Sequence, residues 1–230
     1  TAVDNDLGNG DQIGTDTFIN ANYLRGSNFA DTLTGDGNDN RFRGSGGDDL
    51  IDGGAGQDRI DHADSTSGIV VDLSLGSGQV VDDGKGGTDT LVSIEIVNGS
   101  QWDDQITGGS GNDTIYGAAG TDIVDGSGGN DEIYGGDGGD TLTGGAGNDS
   151  IFGGSGNDTL IFGTGHGDDF VGAFETKGDN TIDLSALNVS GFGALGISQS
   201  GADVVIDTGQ GTITLWNTST GDVTAGDFLF

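Results

Sequence analysis

The 230-residue sequence has no Cys, no Pro and no Met, and only 6 of its residues are Lys or Arg. The absence of Cys excludes disulfide bonds and thiolate metal sites. The small number of basic residues, against 38 Asp and Glu, argues against nucleic acid and anionic membranes as partners, because both need a basic patch. No run of 18 apolar residues is present, so we expect no membrane insertion.

Glycine and negative charge are abundant instead. The chain carries 50 Gly and a formal charge of -32 at pH 7. Such a chain repels itself and has few bulky side chains to bury, which is typical of disorder. We therefore expect it to need counterions in order to become compact.

A strict nine-residue period runs through two segments. Four units fill 26–61 and seven fill 99–161, in one register, as in GGAGNDSIF and GGSGNDTLI. The sixth position is Asp in ten of the eleven units, with Asn40 as the exception, and the eighth is always apolar. A fixed period with a constant apolar position indicates stacked repeats and not low-complexity disorder.

Each unit has the chemistry of a short strand and a turn. The last three residues suit a strand whose middle side chain points inward, and the Gly-rich first six suit a tight turn. Two units then make a coil of 18 residues, so aspartates 18 residues apart lie above one another and repel. A divalent cation between two such carboxylates turns the repulsion into attraction. Ca²⁺ suits carboxylates and turn carbonyls better than Mg²⁺ does.

These units resemble the Gly-Gly-x-Gly-x-Asp-x-apolar-x nonapeptide of the repeats-in-toxin (RTX) family, a calcium-binding repeat. The resemblance covers the two arrays, 99 residues. It implies an all-β fold, a right-handed parallel β-roll with Ca²⁺ between turns one coil apart. It also implies the ligands: carbonyls of positions two and four with the Asp of one turn, and carbonyls of positions one and three with the Asp of the next.

Eight pairs of column positions follow, with about eight Ca²⁺ sites: 31/49, 40/58, 104/122, 113/131, 122/140, 131/149, 140/158 and 149/168. The candidate metal ligands are Asp31, Asp49, Asp58, Asp104, Gly109, Gly111, Asp113, Gly120, Asp122, Gly126, Gly128, Asp131, Gly135, Gly136, Asp137, Gly138, Asp140, Gly144, Gly145, Ala146, Gly147, Asp149, Gly153, Ser155, Asp158 and Asp168. The 40/58 site should bind more weakly, because Asn40 lacks a charge. The units GSNFAD and GSQWDD lack the inner glycines, and we expect half-formed turns there.

The chain divides into five segments: the end of a preceding repeat module (1–25), a first array (26–61), irregular coils (62–98), a second array (99–161) and a cap (162–230). The segment 62–98 has nearly the length of four units, so we expect two irregular coils of the same solenoid. We expect antiparallel strands in the cap to cover Leu160 and Phe162, using Trp216, Phe228 and Phe230. The C-terminal end also resembles the regions that type I exporters recognise.

Catalytic constellations are not found in the sequence. The two histidines, His62 and His166, are about 100 residues apart, and we expect both in solvated turns. Tyr116, Tyr134 and Phe152 should form an outward aromatic column, either stacking on sugar rings or, as we favour, covered by the cap or a neighbouring segment.

The sequence therefore predicts a non-enzymatic, calcium-dependent folding and export module of a large secreted bacterial protein, such as a surface adhesin. The alternative is a C-terminal appendage of a secreted protease, lipase or polysaccharide-modifying enzyme that contacts polysaccharide. The expected partners are calcium ions, a type I exporter and other domains of the same chain, with the module itself monomeric. The expected location is extracellular or on the bacterial cell surface.

Overall fold

The computed structural model describes residues 22–75, 79–172, 174 and 180–230, so most of the predicted preceding module (1–25) lies outside it. Its strands are β1 Tyr23–Arg25, β2 Thr32–Thr34, β3 Arg41–Arg43, β4 Leu50–Asp52, β5 Arg59–Asp61, β6 Val70–Asp72, β7 Gln79–Asp82, β8 Thr88–Val92, β9 Ile96–Asn98, β10 Gln105–Thr107, β11 Thr114–Ala119, β12 Ile123–Asp125, β13 Glu132–Asp137, β14 Thr141–Thr143, β15 Ser150–Ser155, β16 Thr159–Ile161, β17 Gly167–Gly172, β18 Thr181–Asp183, β19 Gly196–Ser200, β20 Asp203–Asp207, β21 Gly211–Leu215 and β22 Phe228–Leu229. Single 3₁₀ turns occur at Leu73–Leu75, Ser185–Leu187, Phe192–Ala194 and Ala225–Asp227.

Two sheets carry all of these strands. The first has the order β1-β3-β5-β9-β11-β13-β15-β17-β21-β20-β19, and the second has the order β2-β4-β8-β7-β6-β10-β12-β14-β16-β18-β22. Successive units alternate between the sheets, and parallel neighbours are one coil apart, as in the register Ile115↔Ile133↔Ile151. The predicted parallel β-roll is confirmed. None of the described helices is long and apolar enough to cross a membrane.

The core lies between the sheets and is filled by the eighth residue of every unit. Each of these side chains is at most 3% exposed: Leu33, Phe42, Ile51, Ile60, Ile106, Ile115, Val124, Ile133, Leu142, Ile151 and Leu160. One apolar side chain per nine residues is a thin core, so each coil depends on its neighbours for burial.

The segment 62–98 differs from the two irregular coils that we predicted. The first sheet passes directly from β5 to β9, with Ile60 beside Val97. The second sheet receives three strands, and β7 runs antiparallel to both β6 and β8. The insert therefore adds three strands to the second sheet and none between β5 and β9 of the first. This is possible because antiparallel strands can be joined by a tight hairpin, whereas parallel neighbours need a longer connection.

The cap extends both sheets. In the first sheet β21 continues the parallel stack beside β17, and β20 and β19 follow it antiparallel. Leu160 and Phe162 are buried, and so is Phe228. Trp216 and Phe230, however, are 55% and 42% exposed, so our prediction that they cover the end of the core is wrong. The cap closes the roll through strand pairing and through buried side chains of its own, such as Ile182 and Ile213.

Candidate metal centre

The sixth residues of the units form two ladders of hydrogen bonds. In each ladder the main-chain nitrogen of one aspartate donates to Oδ1 of the aspartate one coil later. Asp122 N lies 2.9 Å from Asp140 Oδ1, and Asp131 N lies 2.9 Å from Asp149 Oδ1. The same bond, at 2.8 to 3.0 Å, joins 31/49, 40/58, 104/122, 113/131 and 140/158.

The other carboxylate oxygen is buried and without a hydrogen-bond donor in most steps of the ladders. This holds for Oδ2 of Asp49, Asp58, Asp89, Asp122, Asp131, Asp140, Asp149 and Asp158. Each of these residues is at most 3% exposed. A buried anionic oxygen is strongly unfavourable unless a positive charge faces it. The ladders therefore contain a row of positions at which a bound cation would be stabilised.

The unpaired oxygens face the first glycine of their own units. A Cβ built on Gly126 would lie 2.4 Å from Asp131 Oδ2 and 2.5 Å from Gly144 O. The equivalent points at Gly117 and Gly135 lie at the same two distances from their own carboxylate and carbonyl oxygens. A carboxylate and a carbonyl oxygen thus converge on a space that only glycine leaves open.

The turns adopt two conformations. In seven units the second and fourth residues both have positive φ, as at Ser127 (72°) and Gly129 (126°). In the first two units of each array neither residue does, and the main-chain nitrogen of the second residue donates to the side chain of its own unit's sixth residue; we call this turn closed. Ser27 N lies 2.6 Å from Asp31 Oδ2, and Gly109 N lies 2.6 Å from Asp113 Oδ2.

Stacking, more than composition, separates the two kinds of turn. The unit that begins at Gly108 has the full set of glycines but adopts the closed form, because no regular turn lies one coil before it. Unit GSQWDD is closed for the same reason, and unit GSNFAD has the same closed turn. The half-formed turns that we predicted from missing glycines therefore extend to a unit that has them all.

The family profile described as "RTX calcium-binding nonapeptide repeat (4 copies)" matches residues 16–45, 25–60, 99–133 and 134–171, just over half of the chain. The chain belongs to the RTX calcium-binding repeat family. The matched ranges contain most of both ladders, so the residues that carry the repeat pattern are also those whose carboxylates stack.

Solved structures similar to this RTX chain include a subunit of an epimerase and a lipase. The R2 subunit of AlgE6, a mannuronan C5-epimerase of Azotobacter vinelandii, is 28% identical over 55% of this chain and 92% of its own, with a TM-score of 0.44. Extracellular lipase LipA of Serratia marcescens is 17% identical over 98% of this chain and 42% of its own, with a TM-score of 0.36. A search of curated proteins found no significant match.

The donor set of the RTX ladders fits a hard divalent cation. The converging atoms are carboxylate and main-chain carbonyl oxygens, which Ca²⁺ prefers. Within the described ranges, no three His, Asp or Glu side chains converge into a metal-binding cluster. Each candidate site has two carboxylates at most, so main-chain carbonyls have to supply the other ligands.

Burial raises the pKa of the ladder carboxylates. Desolvation, reinforced by neighbouring carboxylates, raises the pKa of Asp122 and Asp131 to about 7, although a main-chain hydrogen bond opposes it. Desolvation likewise raises the pKa of Asp113 and Asp149 to about 6. Without a cation, these groups exchange protons close to neutral pH.

The residues predicted to supply carbonyl ligands fall into three groups according to their position in the turn. At position one, the carbonyls of Gly126, Gly135, Gly144 and Gly153 lie beside the aspartates one coil earlier. At position three, the Asp137, Ala146 and Ser155 carbonyls accept from main-chain nitrogens one coil earlier, at 2.8 to 2.9 Å, and Gly128 forms a parallel bridge with Ala146. At positions two and four, Gly120, Gly136, Gly138, Gly145 and Gly147 have positive φ, unlike Gly109 and Gly111.

One predicted ligand is out of place. Asp149 N donates to Asp169 Oδ1 at 2.9 Å, and Asp169 is buried, whereas Asp168 is exposed and bonds to Thr212. The loop before β17 holds two more residues than a regular unit, which shifts the ladder by two. The 149/168 pair is therefore 149/169.

Three further ladder members were missed. Asp49 N donates to Asp89 Oδ1, Asp58 N to Glu95 Oε2 and Asp158 N to Asn180 Oδ1. The short matches TDTLV, IEIVN and DNTID carry an acid or amide followed two residues later by an apolar residue, as positions six and eight of a unit do. The sequence thus contains the signal of positions six and eight at these three places. The 18-residue spacing does not find them, because longer connections precede them.

The aromatic column is half-buried and its rings stack on one another. Tyr116 and Tyr134 have centroids 4.9 Å apart and nearly parallel planes, and Phe152 continues the stack at 4.8 Å. The ring faces are thus occupied by neighbouring rings, which argues against a platform for sugars. The burial that we favour is only partial: Phe170 of the cap lies against the Phe152 end of the column, with ring centroids 6.0 Å apart, and all three rings stay half-buried.

Both histidines are buried, so our expectation of solvated turns is wrong. His166 Nδ1 lies 2.7 Å from Asp169 Oδ2, and its Nε2 lies 3.0 Å from Thr208 Oγ1. His166 thereby occupies the carboxylate oxygen that is unpaired elsewhere and ties the ladder to the cap. His62 is buried in the insert, where desolvation lowers its pKa to about 4.

Proposed function

We propose that this RTX chain is a calcium-dependent folding and export module of a larger secreted bacterial protein, such as a surface adhesin. One observation carries the proposal: the row of buried, unpaired Oδ2 atoms at the aspartates that the repeat pattern aligns. Calcium-binding repeats of the same family make Ca²⁺ the ion of choice for that row.

The ligands of each proposed site come from two turns one coil apart. In one site Asp113, Gly109 and Gly111 face Asp131, Gly126 and Gly128. A second site joins Gly136, Gly138 and Asp140 to Gly153, Ser155 and Asp158. The bound ion supplies the positive charge that the buried oxygens lack. With 149/169 in place of 149/168, the proposed total remains about eight sites.

Linkage provides the mechanism. The two halves of a site are brought together only by folding, so Ca²⁺ binds the folded roll and stabilises it. At free Ca²⁺ about a hundred times the dissociation constant, each site adds about 2.7 kcal/mol. In a cytosol poor in calcium, the strongly acidic chain stays unfolded and able to pass an exporter. Outside the cell, at about millimolar calcium, it folds.

Circular dichroism tests the calcium requirement. In a chelator we expect mostly coil, and in millimolar Ca²⁺ we expect a strand signal with a cooperative melt. Mg²⁺ at the same concentration is the matched control, and it should restore little structure, because it keeps its waters and demands an octahedron. An unchanged spectrum and melting temperature in chelator would refute the proposal.

Export requires a separate experiment. Residues 162–230 are proposed to carry the type I export information, so a reporter fused to this segment should reach the medium of cells that hold a type I exporter. The matched control is the same reporter fused to residues 99–161, which should stay inside. Equal export of both fusions, or of neither, contradicts this part of the proposal.

A further inference from the structure

The hairpin β7–β8 of the insert places an aspartate in one of the ladders. Strand β8 takes the place of the next coil beside β4, with Leu50 opposite Thr90. Asp49 N therefore donates to Asp89 Oδ1 at 3.0 Å, across 40 residues of sequence. The nonapeptide period assigns no role to Asp89.

The two carboxylates converge on one point. A Cβ built on Gly44 would lie 2.4 Å from Asp49 Oδ2 and 2.9 Å from Asp89 Oδ2. Neither oxygen has a hydrogen-bond partner. Asp49 is 3% exposed and Asp89 is 1% exposed. At the regular units the second oxygen near this point is a main-chain carbonyl, so here a full negative charge replaces a dipole.

Within the described part of the chain, no ion pair reaches Asp49 or Asp89. Asp83, also buried with an unpaired Oδ2, lines a cavity of about 10 Å³ together with Gly44 and Asp89. The nearby cations pair with other acids, although Arg43 Nε, which also borders this cavity, has no hydrogen-bond partner among the described residues. Arg43 pairs with Asp61 and Asp64, and Lys85 lies 2.8 Å from Asp64.

We propose that Asp49 and Asp89 hold one Ca²⁺ ion in a site that the insert supplies, with Asp83 adding negative potential beside it. The proposal deepens the proposed function and rests on it. The insert is then joined to the roll by calcium as well as by strand pairing. The row of calcium sites beside the second sheet thus extends to β8, where the repeat pattern is interrupted. The competing state is a proton shared between the two carboxylates.

Anomalous scattering from crystals of the full chain grown with Ca²⁺ tests the site directly. We expect a calcium peak between Asp49 and Asp89. Peaks in the regular repeats but none here would overturn this inference alone. No calcium peak anywhere would instead contradict the proposed function.

Counting bound Ca²⁺ by native mass spectrometry gives a second test. Asp89→Asn keeps an oxygen for the bond from Asp49 N but removes the charge, and we expect it to bind one ion fewer than the parent chain. Asp82→Asn is the matched control, because Asp82 is exposed on the same hairpin, and it should bind the same number. An unchanged count for Asp89→Asn would assign the pair to a shared proton and overturn the inference.

Discussion

Asp158 N donates to Oδ1 of Asn180 at 2.9 Å, so the cap supplies the last acceptor of one ladder. Asp169, bonded to His166, ends the other ladder. Both ladders therefore finish on residues that follow the second array, where the nine-residue pattern has already decayed. The repeats and the cap share one hydrogen-bond network.

Removal of 174–230 should raise the calcium midpoint of folding and make the transition less steep. The deletion leaves Asp158 N without its acceptor and Leu160 at an open end, and β16 and β17 each lose the strand that follows them in their sheet. A calcium titration of both chains by circular dichroism measures the effect. The same midpoint and steepness in the truncated chain would show that the cap has no part in folding.

Asp131→Asn should lower the number of bound Ca²⁺ and destabilise the calcium-loaded roll by about 3 kcal/mol or more, because Asp131 borders two proposed sites. The asparagine keeps an oxygen for the bond from Asp113 N. Asp207→Asn, an exposed change in the cap, is the control and should have no effect. Calorimetric titration gives the number of Ca²⁺ ions bound per chain. The same number for Asp131→Asn and Asp207→Asn would count against sites between coils.

Ala118→Gly should stabilise the roll by roughly 0.5–1 kcal/mol. Ala118 has φ of 83°, which costs a residue with a Cβ about 1–2 kcal/mol, and the flexibility of glycine in the unfolded chain offsets part of the gain. Ala119→Gly, beside it in β11 at ordinary φ, should destabilise by about 0.5–1 kcal/mol. Thermal melts at a fixed calcium concentration measure both effects. A change in melting temperature of the same sign in the two variants would contradict the strain argument.

Acid should replace part of the effect of calcium. Because burial raises the pKa of Asp122 and Asp131 to about 7, the calcium-free roll binds more protons than the unfolded chain. Its stability is therefore greatest below the unfolded pKa, near 4, and is lost as pH rises through about 7. In chelator, the strand signal in circular dichroism should fall from pH 5 to pH 8, toward the coil expected at neutral pH. A rise over that range would show the opposite linkage.

The parallel roll could be predicted because its period is local and is written in every unit. Position eight is always apolar and position six is almost always Asp, so facing strands and stacked carboxylates follow from spacing alone. Asp89, Glu95 and Asp169 escaped prediction for one physical reason. Stacking needs a residue at the correct height in the next coil, and it tolerates any length of loop before it.

The cap and the insert show the same limit. Hydrophobicity placed Trp216, Phe228 and Phe230 in the core, and of these three only Phe228 is buried. The C-terminal strands satisfy the open edge by pairing, which a pattern of apolar residues does not reveal. Likewise, the length of 62–98 suggests two coils with strands in both sheets. Instead, three of its strands, β6, β7 and β8, all join the second sheet, and a length alone does not distinguish these two arrangements.

The rings of Tyr116 and Tyr134, 4.9 Å apart, belong to consecutive coils of the same sheet. In an unfolded chain, 17 residues separate them and their electronic transitions are independent. Stacking couples the transitions, so near-ultraviolet dichroism and quenched tyrosine fluorescence register the closing of these two coils. The protein thus carries an intrinsic optical probe in its second array, which reports when these two coils close without any added label.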